Sequence, residues 1–219
     1  MVEVDIDKIL ERSEQKEIKK KTNKNSPLII SIAAVVLAAC LVSIVIILTV
    51  RGESSTDYMP LQNGEKCTYN RTGKSPEEWD VMDKQKNING YVCQAINKID
   101  KETNLSYQDY YCVGDAGIVR VAYSDNFGDI KEMQMGVLPA RIKVGEEFTA
   151  GKIRDKVIYA KIVSKEKMST MVGDVESIKV EYNADPYYKD TIWFGKGIGV
   201  VKEVDGLTNE ERTLISVEK

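Results

Sequence analysis

The stretch from Val175 to Tyr182, VESIKVEY, decides the fold class, because apolar and charged residues alternate along it. Successive side chains of a β-strand point to opposite faces, so Ile178, Val180 and Tyr182 form one apolar face opposite the charges. Such alternation is typical of a strand with one face in a core and the other in solvent. The stretch therefore predicts a half-buried strand of an antiparallel sheet.

Similar β-rich runs follow one another from Tyr58 to the C-terminus, separated by turn dipeptides such as Asn63-Gly64, Asn89-Gly90 and Asp205-Gly206. The other runs are Glu65–Asn70, Trp79–Ile88, Tyr91–Ile99, Leu105–Val113, Gly117–Tyr123, Ile130–Val137, Glu146–Thr149, Ile153–Val163, Thr191–Phe194, Ile198–Val204 and Thr213–Val217. About twelve short strands without a long helical stripe predict a mainly β domain. We expect an antiparallel β-barrel that is open or half-closed.

An uncharged apolar segment of 23 residues, Leu28 to Val50, precedes this domain, with Pro27 at its start. As a helix it would be roughly 34 Å long, at about 1.5 Å per residue, which is enough to cross a hydrocarbon core of about 30 Å. Soluble core helices rarely run this long without a polar face. The segment therefore predicts one N-terminal transmembrane helix over residues 27–50.

Lysines near the two ends of the segment indicate its orientation. Lys16, Lys19, Lys20, Lys21 and Lys24 precede it, whereas few basic residues follow it closely. The positive-inside rule places residues 1–26 in the cytoplasm as a basic tail, and the rest outside. Residues 51–57 are expected to be a linker and residues 58–219 an extracytoplasmic β domain, anchored in the plasma or inner membrane by a single pass.

Cys40 leaves a second reading of the segment open. Leu37-Ala38-Ala39-Cys40 matches the pattern of a bacterial lipoprotein signal, in which the cysteine is acylated. The ten residues after Cys40 stay apolar, however, whereas a mature lipoprotein turns polar there. The signal-anchor interpretation is therefore preferred over lipidation.

Composition excludes several functions. The chain has no histidine, so it has no Ser-His-Asp or Cys-His pair and no histidine-based zinc site. Seven of the 31 basic and six of the 34 acidic residues lie in residues 1–26, so the outer part is acidic overall. An acidic domain argues against nucleic-acid binding. We expect no cofactor, no metal and no enzymatic activity, although a carboxylate hydrolase stays an alternative.

The spacing of the cysteines suggests one disulfide. If residues 101–104 form the turn between two neighbouring strands, Cys93 and Cys112 face each other across the pair. This separation suits a disulfide, which an oxidising compartment would favour over two free thiols. Cys67 would then be unpaired and serve in packing, or would compete for one partner.

Two motifs resemble a family of bacterial envelope proteins. The chain reads YMPLQNGEKCTY from Tyr58 to Tyr69 and WFGKGIGVVK from Trp193 to Lys202. These stretches resemble the patterns YxPLxxGxxWxY and WFxxGxGxVK of that family, with Cys67 in place of tryptophan. The resemblance implies an open antiparallel barrel like those of lipoprotein carriers (LolA/LolB-like), and implies no catalytic residue.

Aromatic residues are the candidate ligand contacts. Tyr110, Trp193 and Phe194 could line a cavity for an apolar ligand, or they could be core and rim of the barrel. We expect a non-enzymatic outer domain that binds a hydrophobic ligand, a lipid or another envelope protein. The alternative is a structural or assembly component of a membrane complex that acts through the span and the tail. The sequence does not indicate the oligomeric state.

Overall fold

A computed structural model describes residues 52–125 and 128–219 and shows one short helix and twelve strands. The helix α1 is Ser55–Tyr58; the strands are β1 Lys66–Arg71, β2 Lys74–Ile88, β3 Tyr91–Asp100, β4 Ser106–Gly114, β5 Gly117–Ser124, β6 Ile130–Pro139, β7 Glu147–Ile153, β8 Lys156–Thr170, β9 Gly173–Ala184, β10 Tyr188–Gly195, β11 Gly199–Asp205 and β12 Glu211–Glu218. No helix among the described residues is long and apolar enough to cross a membrane. The predicted tail (residues 1–26), the predicted span (residues 27–50) and Cys40 lie outside the described residues.

The strands form a closed antiparallel barrel in which chain neighbours are also neighbours in the sheet. The last strand closes the ring, because β12 pairs with β1 through Cys67–Val217 and Asn70–Thr213. The predicted antiparallel β-barrel is confirmed, but the prediction that it is open or half-closed is wrong. Hairpin signals in the sequence report pairing between consecutive strands only, so the pairing of the first strand with the last could not be predicted from them.

The alternation that predicted the strands also predicted their inward faces. In β9, Ile178 and Val180 are completely buried and Tyr182 is nearly so, while Glu181 is exposed. The hairpin between β2 and β3 turns at Asn89 and Gly90, which have φ of 52° and 85°. Two positive φ values are typical of the tight hairpin turn that Asn-Gly favours.

A second apolar cluster lies on the opposite side of the sheet from the main core. Tyr111 belongs to the main core, whereas the adjacent Tyr110 packs in the second cluster with Ala122. Cys93 and Cys112 also lie in this cluster, directly opposite each other on β3 and β4, and they form a disulfide. The predicted register of this hairpin is confirmed.

The residues before β1 are attached to one end of the barrel. Ser54 caps α1 and also forms a β-bridge with Arg141, in the turn between β6 and β7. Tyr58, the last residue of α1, is completely buried in the core. Within the predicted linker, residues 51–57, the chain thus contacts the barrel from Glu53 onward, since the Glu53 carbonyl oxygen accepts a hydrogen bond from the Ile142 N–H at 2.8 Å.

Candidate functional site

The three aromatic residues considered as ligand contacts are not brought together. Phe194 is buried in the main core, and Tyr110 is buried in the second cluster. Trp193 is half-buried; its indole N–H donates to Glu166, and its ring lies 5.5 Å from Lys202 Nζ. None of the three lines a cavity described below.

One cavity in the apolar interior of the barrel is very small. The cavity beside Glu65 and Cys67 has a volume of about 30 Å³, roughly the space of one water molecule. Glu65 Oε1 is buried there without a hydrogen-bond partner among the described residues, and burial raises the pKa of this carboxyl group. Burial also raises the pKa of the Cys67 thiol to about 12, which keeps it protonated. This cavity is too small for a lipid or another apolar ligand.

The half of the barrel remote from α1 contains several buried charges beside apolar core residues. Glu77 lies at their centre: its Oε2 accepts a hydrogen bond from the Trp79 indole N–H at 2.7 Å, and its Oε1 accepts one from the Tyr107 hydroxyl at 3.1 Å. Arg212 Nε lies 2.9 Å from Glu77 Oε2 but is not aligned for a hydrogen bond, so this contact is an ion pair. Arg71 NH1 lies 3.6 Å from the same carboxylate.

A second buried ion pair lies beside this group. Lys98 Nζ is 2.7 Å from Asp109 Oδ2, with side chains only 7% and 2% exposed, and it lies 3.8 Å from the centre of the Trp79 ring. Burial alone would lower the pKa of Lys98, but the charge of Asp109 outweighs it, so the pKa is raised. Burial would raise the pKa of Asp109, but Lys98 and Arg120 hold it below its usual value. Both groups are therefore charged at neutral pH.

The charged end of the barrel also holds a polar cavity of about 120 Å³, lined by Asp190, Glu203, Asp205, Glu210 and Arg212. Partial burial raises the pKa of Asp190 to about 6, and the neighbouring carboxylates contribute to the increase. Arg212 pairs with Glu203 on the wall of the cavity. Glu210 pairs likewise with Lys74, so three of the five lining residues take part in ion pairs.

The ring of strands has one weak seam, between β6 and β7. Within residues 52–125 and 128–219, Met135–Gly151 is the only residue pair that joins these two strands. By contrast, β6 pairs with β5 from Gly117–Pro139 to Ser124–Ile130, along its whole length. Ladder positions of β6 and β7 on both sides of Met135 and Gly151 are therefore not paired with each other.

Side-chain and backbone details accompany the sparse pairing of β6 and β7. The Tyr182 hydroxyl, from inside the barrel, donates to the Val137 carbonyl oxygen of β6, which β7 does not reach. Gly151 has φ of 153°, and a Cβ built on it would lie 2.6 Å from the Gln134 carbonyl oxygen. The two backbones therefore touch at Gly151, and only glycine allows this approach.

Two grooves of ligand size lie beside the seam. One, of about 580 Å³, follows it and is lined by residues including Gly136, Leu138, Phe148, Thr149 and Gly151. The other, of about 470 Å³, extends from β6 across β5 to the turn between β2 and β3. The two grooves share Ala116, Val119 and Gln134, so they adjoin on the wall of the barrel. Binding sites for ligands are typically about 300–1,000 Å³.

In the part of the chain that the structure describes, no group of three Cys, Asp or Glu side chains is placed to hold a metal ion. The buried carboxylates at the charged end face cations across the barrel rather than open space. The seam differs from the charged end, because strand positions of β6 and β7 that do not pair with each other lie there beside grooves lined partly by apolar side chains.

Sequence reasoning did not identify the seam. The glycines at positions 136 and 151 were its only signal, because a glycine within a strand often marks a close approach of backbones. The buried charges were also missed, since Glu77 and Lys98 look like solvent-facing residues of a strand. Their partners come from strands distant in the chain, which a single sequence does not pair.

No protein-family model matches this chain, and no curated protein matches it. The crystal structure of a protein described as exported, with a YmcC-like fold, from Bacteroides fragilis NCTC 9343 is 13% identical, with a TM-score of 0.40 over 72% of this chain and 97% of that chain. A protein described as a lipoprotein from Parabacteroides distasonis ATCC 8503 is 11% identical, with a TM-score of 0.36 over 72% of this chain and 96% of that chain. At these values the likeness carries no conclusion about what this chain does.

Proposed function

We propose that this chain is a single-pass membrane protein whose extracytoplasmic β-barrel binds, without catalysis, an extended segment of another envelope protein. The observation that carries the proposal is the seam, where β6 and β7 share only the Met135–Gly151 pair. Unpaired backbone N–H and C=O groups at a strand edge are a template for an added strand. The groove that follows the seam and includes Gly136, Phe148 and Thr149, called the seam groove here, has a volume of about 580 Å³. It provides room for the side chains of such a segment.

Two observations favour a polypeptide at the seam over a lipid in the small interior cavity beside Glu65. The apolar interior cavity measures only about 30 Å³, which excludes an acyl chain there. At the seam, a polypeptide would satisfy backbone hydrogen bonds that an acyl chain would leave unmade. A non-enzymatic role is supported by Glu77 and Asp109, because each of these buried carboxylates is neutralised by cations within the barrel.

The binding site is tested by photo-crosslinking of the full chain in intact cells. A photoreactive amino acid at Thr149, in the seam groove, is expected to give an adduct with one defined protein segment. The same amino acid at Glu181, exposed on β9, is the control and should not give this adduct. A lipid adduct at Thr149, or the same adducts at both positions, contradicts the proposal.

The crosslinked segment is then synthesised and added to the purified full chain. We expect it to slow hydrogen exchange of backbone amides in β6 and β7, since strand addition protects both edges. Gly136→Glu should abolish this protection by placing a charged side chain in the groove. Gly136→Ala is the matched control, because its Cβ would lie no closer than 3.5 Å to a neighbouring atom. Protection that survives in Gly136→Glu would refute binding at the seam.

Membrane topology is tested separately with the full chain. Protease added to cells whose outer face is accessible should remove a tag placed after Lys219 and should spare a tag placed before Met1. Protection of the C-terminal tag would contradict the extracytoplasmic position of the barrel, whatever the seam binds.

A further inference from the structure

The groove of about 470 Å³ that adjoins the seam groove is lined in large part by apolar side chains. Ile88 and Cys112 line it and belong to the second apolar cluster, and Val121 packs against that cluster. Tyr91 and Val113 also line it and are 59% and 53% exposed. Apolar surface is therefore open to solvent in this groove, which is called the outer groove below.

The charged residues that line the outer groove are both acidic. Asp115 and Glu132 are exposed, and neither side chain has an ion pair or a hydrogen bond within residues 52–125 and 128–219. No lysine or arginine is among the described residues that line this groove. A ligand with positive charge would therefore meet carboxylates that no neighbouring side chain neutralises.

The two carboxylates are separated along the outer groove. Asp115 lies in the turn that leads into β5 at Gly117, and Glu132 of β6 lies opposite Ala122 of β5. Gly117 and Ala122 are five steps apart, which corresponds to roughly 16 Å at about 3.3 Å per residue. Val119 lies between them and also lines the groove. The outer groove thus offers apolar surface with an acidic group on either side of it.

The outer groove is continuous with the seam groove. Both are lined by Ala116, Val119 and Gln134, so a polypeptide in one groove has a path into the other. The charge differs between the two, because Lys152 is the only charged residue among the described residues that line the seam groove. A preference for positive charge therefore belongs to the outer groove alone.

We propose that the segment bound at the seam continues into the outer groove, and that its part there consists of apolar residues with a basic residue on either side. The apolar side chains cover Val113 and Val119, and the basic ones pair with Asp115 and Glu132. An extended chain advances about 3.3 Å per residue, so basic residues four to six positions apart span roughly 13 to 20 Å. A small apolar amine would reach one carboxylate only. The inference rests on the proposed function, since it names the chemistry of the segment that the seam binds.

The charge preference is tested with two fluorescently labelled peptides, KTVTVTK and ETVTVTE, and the purified full chain. In an extended peptide the odd-numbered residues share one face, so each peptide presents two valines between two charges. Fluorescence anisotropy should show that KTVTVTK binds at least about tenfold more tightly than ETVTVTE, because two attractions replace two repulsions. Equal binding of the two peptides, or no binding of KTVTVTK, overturns the inference.

A pair of double variants then locates the preference. Asp115→Asn with Glu132→Gln should weaken the binding of KTVTVTK by at least about fivefold. The matched control is Asp155→Asn with Glu102→Gln, which removes the same charge from exposed carboxylates that line neither groove. The control should change the affinity by less than about twofold. Equal weakening in both double variants overturns the inference, because it shows general attraction to an acidic domain.

Photo-crosslinking in intact cells separates this inference from the proposed function. A photoreactive amino acid at Val113, which lines only the outer groove, should capture the same segment as one at Thr149, which lines only the seam groove. Tyr159, 62% exposed on β8, is the control position and should not capture it. Capture at Thr149 without capture at Val113, or a captured segment without basic residues beside apolar ones, overturns the inference and leaves the proposed function intact. Capture at Val113 alone contradicts the proposed function, and the inference falls with it.

Discussion

Lys98 shows at the scale of one residue how this barrel holds charge in its interior. Its ammonium group is paired with Asp109 at 2.7 Å and lies against the Trp79 ring. A buried pair of this kind need not stabilise the fold relative to apolar residues, but removal of one partner leaves the other charge uncompensated. A substitution that removes only one partner is therefore the better test of this pair, because it leaves the other charge buried without compensation.

Lys98→Met should lower the free energy of unfolding by about 3 kcal/mol, because it leaves Asp109 buried with only Arg120 to offset its charge. Lys161→Met is the control: Lys161 also pairs with a carboxylate, that of Glu147, but both side chains are more than half exposed. Its loss should cost less than about 1 kcal/mol. Urea unfolding of both variants measures the difference, and equal losses would show that the buried pair is not special.

Asp190→Asn should stabilise the protein at high pH only. The pKa of Asp190 is raised to about 6 in the folded state, above the value of about 3.9 in an unfolded chain. Stability from this group is therefore complete below pH 4 and is lost as the pH rises through 6. We expect the variant to melt at a higher temperature than the parent at pH 8 and at the same temperature at pH 4.

Asp205 provides the control with the opposite sign. Asp205 lies directly opposite Asp190 in the backbone register of β10 and β11. Burial would raise the pKa of Asp205, but hydrogen bonds from the backbone N–H groups of Thr208 and Leu207 hold it below the usual value. Asp205→Asn should therefore lower the melting temperature at pH 8 and have less effect at low pH. A stabilising effect of both substitutions at pH 8 would point to general charge reduction instead of the local surroundings of Asp190.

At the scale of elements, a disulfide links the two strands of the β3–β4 hairpin. The disulfide joins Cys93 and Cys112, which are 19 positions apart in sequence. Replacing both cysteines by alanine should lower the free energy of unfolding by about 3 kcal/mol, because a closed loop of this length restricts the unfolded chain. Denaturant unfolding without reductant measures the loss, and a change below about 1 kcal/mol would contradict it.

The seam between β6 and β7 should be the most labile part of the ladder. Within residues 52–125 and 128–219, Met135–Gly151 is the only pair between these strands, so β6 and β7 share fewer ladder hydrogen bonds with each other than other neighbouring strands do. Hydrogen exchange should therefore be faster in β6 and β7 than in β8 and β9, whose pairing runs from Tyr159–Asn183 to Thr170–Gly173. The double variant Val137→Cys and Thr149→Cys, once oxidised, should slow exchange in β6 and β7 alone. Uniform exchange across all four strands would contradict a weakly paired seam.

At the scale of the whole molecule, local features made the strands predictable and long-range ones did not. The alternation around Ile178 and the turn at Asn89-Gly90 are local, and both lie in the structure as expected. The facing cysteines followed from the register of one hairpin. Closure through Cys67–Val217 depends on the number and tilt of all strands, which no local pattern encodes.

The candidate site was less predictable than the fold, for the same reason. Trp193 and Phe194 are adjacent on one strand, so they point to opposite faces and cannot line one cavity. The alternation of side chains along the strand already predicts these opposite directions. The expectation of a shared cavity was based only on the aromatic character of the residues. The seam depends on how closely Gly151 approaches Gln134, a contact that appears only when both strands are placed.

The attachment of Glu53 to residues at the end of the barrel that carries α1 has a mechanical consequence. A pull on the N-terminal side of the barrel first loads the contacts of Glu53 with Ile142, Lys165 and Lys196. These few bonds should break before the longer ladders of β1. The segment before Lys66 would then extend first, and the barrel would unfold only at a higher force. Force spectroscopy on the full chain should then record a short, low-force extension ahead of barrel rupture, and Glu53→Gln should lower the force of that first event.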